Sequence, residues 1–147
     1  MIEGVRLLPW LQQATRRDPV GVAYLNDCEA CMRERSKDLR QSMRCGFEPA
    51  LDDPRASATW RPDGFSGFDG LPGGLASTCP GYTVHLPEVR EVSWLHLWWS
   101  KGQLRDKLGA APSETVQMLV ETLSAENSAA EAYEMQRARD EQSKGGR

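Results

Sequence analysis

Apolar residues recur with helical period in the second half of the chain and lose all period in the middle. From Pro87 to Leu108 they include Val89, Val92, Trp94, Leu95, Leu97, Trp98, Trp99, Leu104 and Leu108. At about 100° per residue these fall on two sides of a helix. Val89, Val92, Leu95 and Trp99 share one side, and Trp94, Leu97, Trp98, Leu104 and Leu108 cover another. A helix apolar on two sides is central or lies between partners. Three tryptophans in six positions are expected to supply most of the core, since each buries roughly 150–250 Å2. Pro87 and Glu88 suit the first turn, Gly102 weakens the interior, and Gly109 is placed to end the helix.

A second long helix is expected over 113–140. Ser113 serves as its N-cap, and Val116, Leu119, Val120, Leu123, Ala130 and Tyr133 form its stripe. The connection at Gly109–Pro112 is short, so the two helices fold back as a hairpin. Earlier in the chain the pattern is thinner. A short helix from Pro9 to Arg16 with Pro9 in its first turn, an extended segment over 20–27, and a basic helix over 32–44 with Met32, Leu39 and Met43 as its stripe are expected. Residues 46–78 carry prolines and glycines throughout and aromatics without period, which predicts a long irregular loop. The resulting layout is an N-terminal arm (1–19), a cysteine-bearing module with the long loop (20–85), a helical hairpin in the same domain (86–140) and a flexible tail (141–147).

Composition sharpens this picture. Hydrophobic residues make up 39% of the 147, with thirteen glycines and nine prolines. The core is therefore limited and a staple would help. The net charge of −3 gives no bulk attraction to nucleic acid or to acidic membranes. No stretch approaches the length of a membrane span. The first residues lack the apolar run of a signal peptide, and a reducing cytoplasm is the expected compartment.

The four cysteines supply the staple. Cys28 and Cys31 form a C-x2-C pair, Cys45 precedes Gly46, and Cys79 precedes Pro80. Four thiolates with one such pair match structural zinc, which is tetrahedral and favours sulfur ligands. The count and spacing favour Zn2+ over a lone redox pair, which would sit in a βαβ setting. They also favour it over two disulfides, which belong to secreted chains, and over an iron–sulfur cluster, which uses clustered spacings. His85, six residues after Cys79, is the alternative fourth ligand. His96 is assigned to packing or surface. No catalytic motif appears, so the chain is read as a non-enzyme without a small-molecule substrate. The expected fold is mainly α, with a long irregular zinc-stapled loop region and a helical hairpin packed on a small four-cysteine zinc module.

Two functions follow. One is a zinc-stabilised protein-interaction module, binding a protein partner or a second copy, with Phe65, Phe68 and Leu71 as apolar loop anchors. The other is a nucleic-acid-binding regulator, with Arg33, Arg35, Lys37, Arg40 and Arg44 on phosphates. The phrase Cys79-Pro-Gly-Tyr-Thr-Val-His-Leu-Pro-Glu-Val, the later Trp98-Trp99-x-x-Gly-Gln-Leu, Cys28-x2-Cys31 and Cys45-Gly46 together resemble small uncharacterised cysteine-bearing proteins of tailed phages and prophages. The resemblance implies a phage origin, a bacterial host cytoplasm or virion as location, and a role in virion assembly or host interaction. It implies no catalytic residue.

Overall fold

The first helix shows how tertiary burial overrides a local breaker. In the computed structural model, which describes residues 1–20, 23–42, 45 and 79–145, α1 runs Ile2–Arg17 with Pro9 inside it. This corrects the expected start at Pro9. Proline in a helix interior forfeits one backbone hydrogen bond and costs about 3 kcal/mol. Val5, Leu7, Pro9, Leu11 and Ala14 are all buried, and each fully buried aliphatic side chain contributes about 1.5–3 kcal/mol. Glu3 in the first turn and Arg16 and Arg17 in the last match the helix dipole.

All regular elements among the described residues are helical. Four short helices follow α1: α2 (Ala23–Asn26), α3 (Cys28–Glu34), α4 (Lys37–Ser42) and α5 (Pro80–Val84). Then come α6 (Pro87–Ser100), α7 (Leu104–Leu108) and the long α8 (Glu114–Gly145). Helix α2 replaces the expected extended segment, because Leu25 turns inward and is only 1% exposed. The single helix expected from Pro87 to Leu108 is interrupted between α6 and α7. Gly102 there adopts φ +68°, a left-handed conformation that glycine takes without steric cost. Gly109 ends α7 in the same conformation, as its position implied. Ser113 caps α8, its hydroxyl accepting from the Val116 N–H.

Helices α6 and α8 form the expected antiparallel hairpin, and α1 lies against both. Val5 of α1 packs with Val89 and Val92 of α6 and with Leu119 and Leu123 of α8. Leu95, Leu104 and Val120 make a second cluster. Helix α1 runs parallel to α8. Glu126 accepts from Arg6 Nε at 2.9 Å and from Trp10 Nε1 at 3.0 Å, while Arg17 pairs with Glu134 at 2.6 Å further along. The rings of Trp10 and Tyr133 lie between these contacts, centroids 5.8 Å apart.

The tryptophans of α6 supply less of the core than expected: Trp98 and Trp99 pack, partly buried, against the Leu95–Leu104–Val120 cluster, and Trp94 stays outside it. Val89, Val92 and Leu95 are the buried residues of α6. Trp94 is 48% exposed and Leu97 46%. The reason is that α1 and α8 together cover one side of α6 and leave the other open. Helix α8 continues to Gly145 rather than ending near 140. Beyond Tyr133 and Glu134 its side chains are largely exposed, with an Arg137–Glu141 ion pair one turn apart.

Candidate metal centre

Residues far apart in the chain bring four thiols together. Cys28 and Cys31 lie on α3, three positions apart, so they stand about 60° from each other around the helix axis. The helix begins here because the Asp27 carboxylate accepts the Ala30 N–H at 2.8 Å. That is a normal N-cap, at a residue the sequence marks for it.

Helix α3 stops at Arg35, which is extended at φ −108° and ψ 142°. Ser36 then starts α4, its hydroxyl accepting from the Leu39 N–H. The chain therefore breaks between α3 and α4 instead of running on as one basic helix. Arg40 bridges the break, since its guanidinium donates to the carbonyls of Met32 and Arg35 at the end of α3. The Cys45 N–H donates to the Arg40 carbonyl at 3.0 Å, which ties that cysteine to the same corner.

Cys79 arrives from the other side as the N-cap of α5. Helix α5 approaches α2 so closely that a Cβ on Gly81 would lie 2.6 Å from the Leu25 carbonyl oxygen. Only glycine permits this contact, which sets the position of Cys79. The result is a small cavity of about 20 Å3 lined by Cys28, Cys31, Met32, Arg40, Cys45, Cys79 and Tyr82. That is room for about one water-sized sphere. All four cysteines are free thiols. Among the described residues, no group of three or more His, Cys, Asp and Glu side chains stands at metal-ligand geometry. The thiols surround a common space without being drawn onto a common point.

The electrostatics follow from this crowding. Burial pushes the Cys79 thiol up to about 12, helped by Cys45 and Cys28, while the N–H groups of Gly81 and Tyr82 pull the other way. Burial also raises the Cys28 thiol, with Cys45, Cys31 and Asp27 adding to it and Arg90 opposing. For Cys31 burial raises the thiol first, Arg35 and Arg40 oppose it, and Cys45 and Glu34 reinforce it. Thiolates close together repel and are poorly solvated here. A divalent cation would reverse both penalties, because a coordinated thiol is deprotonated outright. The Arg40 guanidinium lines the same cavity, while Arg35 and Arg90 oppose the rise at Cys31 and Cys28 respectively.

Other expected site residues fare differently. His85 is not among the described residues lining the cavity, and its buried Nε2 has no hydrogen-bond partner among the described residues. Arg33 and Lys37 are exposed and Arg35 half-buried, but Arg40 is only 9% exposed and faces the thiols. Arg40 thus lies in the cysteine corner, bonded across the break at Arg35–Ser36 to the Met32 and Arg35 carbonyls. Arg44, Phe65, Phe68 and Leu71 lie outside the described residues. Met32, Tyr82 and Arg90 were not marked as site residues in the sequence. Met32 adjoins Cys31 and Tyr82 lies three places after Cys79, which is a weak signal by proximity, whereas Arg90 has no local signal. No helix of the described residues is long and apolar enough to cross a membrane.

No family model, curated protein or solved structure matches the chain.

Proposed function

We propose that this protein is a non-enzymatic interaction module whose N-terminal half is held by one structural zinc ion on Cys28, Cys31, Cys45 and Cys79. The carrying observation is that four thiols from three separate stretches of sequence line one cavity. Four sulfur donors suit Zn2+, and a tetrahedral ion so ligated keeps no open position for catalysis. The ion would tie α3 and Cys45 to α5, and so to the helices that α5 contacts, across the long stretch between Cys45 and Cys79. The scaffolding role agrees with the absence of buried residues on α3. The resemblance to phage proteins extends the proposal to virion assembly or host interaction.

Elemental analysis of protein purified without added metal tests the proposal. One equivalent of zinc per chain is expected, falling to a small fraction in Cys79→Ser. Metal-free protein that is folded throughout α2–α5 would overturn it.

A further inference from the structure

The open side of α6 and α7 is a surface of a particular chemistry. Trp94 is 48% exposed, Leu97 46% and Leu108 40%. Trp94 and Trp98 meet edge to face with centroids 6.2 Å apart. The ammonium groups of Lys101 and Lys107 stand 4.9 Å and 4.0 Å from the centre of the Trp98 ring. The face is therefore aromatic at its centre and cationic at its rim. Trp94 is exposed beside Trp98, which is itself partly buried against the Leu95–Leu104–Val120 cluster, and an exposed aromatic is a usual anchor of an interface centre. The lysines also fix what fits: a partner surface with carboxylates around an apolar middle. Pairing this face with its own copy would set lysines against lysines, which opposes association.

The same chain carries the complement. On α8, Glu114, Met118, Glu121 and Ala125 follow one another at spacings of three and four, and all are exposed. They occupy the side of α8 opposite Leu119, Val120 and Leu123, which are buried. Met118 is 51% exposed and flexible enough to fit an aromatic neighbour. The Glu121 carboxylate accepts from Gln117 at 2.8 Å, which holds it on this side of the helix.

We infer that the Trp94–Leu97–Trp98–Leu108 face of one molecule docks on the Glu114–Met118–Glu121 face of a second copy. Lys101 and Lys107 meet the glutamates, and the tryptophans pack beside Met118. The inference rests on the interaction reading above and gives it a partner.

The test uses full-length protein in sedimentation-velocity runs over a range of concentrations, with zinc measured on the same samples. Wild type should associate as concentration rises and dissociate as salt rises. Trp94→Glu and Glu121→Lys each alter an exposed side chain, and unchanged circular dichroism verifies the fold. Each alone should weaken association about tenfold or more, the loss typical of an interface hot spot. In a mixture the intact tryptophan face of Glu121→Lys can meet the intact Glu114–Met118–Glu121 face of Trp94→Glu, and association should return. Failure of the mixture to associate overturns the pairing of these two faces. Wild type that stays monomeric while carrying zinc overturns the inference alone, whereas monomer without zinc overturns the metal reading as well. Monomer that instead binds vesicles of anionic lipid through Trp94 assigns the face to a membrane and overturns it too.

Discussion

The helices α1, α6 and α8 and the cysteine corner are built by opposite means. The three long helices share apolar clusters that include Val5, Val89, Val92, Leu119 and Leu123, each nearly inaccessible to solvent. The corner has almost nothing of the kind. Helix α3 buries no residue, and among the described side chains of α2 to α4 Leu25 is the buried apolar one. Its order rests on caps, on the Arg40 hydrogen bonds to two carbonyls, and on four thiols around one cavity. A segment that buries so little apolar area cannot offset the roughly 1–2 kcal/mol per residue of backbone entropy it loses on ordering. A metal ion is the remedy small modules commonly use. The contrast explains why the cysteines lie where the hydrophobic pattern fails.

The largest expected effect breaks one side of this comparison and spares the other. Removing zinc with a strong chelator, or Cys79→Ser, should speed amide exchange in α2, α3 and α4 by about a hundredfold or more. Helices α1, α6 and α8 should keep their protection. Uniform loss across all helices would mean that the two regions are one cooperative unit.

The reverse experiment strikes the core. Leu123→Ala should lower global stability by about 2–5 kcal/mol, read by denaturant melting. Zinc stoichiometry in the folded protein should stay at one equivalent. A loss of metal under native conditions would place the corner's order under the control of the core.

A smaller effect is expected at the junction of α1 with α8. Glu126→Ala removes the acceptor of both Arg6 and Trp10. It should cost about 1–3 kcal/mol, mainly through the indole N–H left without its carboxylate. The same melting curves detect it. An effect below about 0.5 kcal/mol would show that water replaces the carboxylate at little cost.

The smallest effect concerns pH. Burial lowers the His96 pKa, where its ring lies 5.8 Å from that of Trp99. The unfolded chain then binds more protons than the folded one between the lowered value and about 6.5. Stability therefore falls as pH drops through that window, and the penalty is complete below the folded value. His96 is partly exposed, so the difference in melting temperature should be about 1 °C. Comparison with His96→Gln at pH 7.5 and 5 isolates it, and equal slopes in the two proteins would refute it.

Much of the fold was legible because long helices obey a period. Val89, Val92 and Leu95 on α6, and Leu119, Val120 and Leu123 on α8, fall on stripes visible in the sequence. Ser113 and Gly109 marked their boundaries through local chemistry. The four cysteines were legible as a set, because the pair spacing and the count carry the signal. Other features were not. Pro9 obscured the start of α1, since a proline's local cost is visible and the burial that offsets it is not. The break at Arg35–Ser36 was hidden, because Arg33, Arg35, Lys37 and Arg40 read as one charged helix face.

By itself, then, the sequence determined the mainly helical character and the α6–α8 hairpin, and it marked the four cysteines that line one cavity. Periodicity, capping and composition are local properties, and a single chain displays them. Tertiary structure decided which apolar side of α6 is covered. It also turned Arg40 toward the thiols and brought Cys79 beside Cys28, Cys31 and Cys45. Each of those outcomes depends on contacts between separate segments: α1 against α6, Arg40 across the break between α3 and α4, and Gly81 against Leu25. No local pattern encodes them, because their energy exists only once both partners are in place.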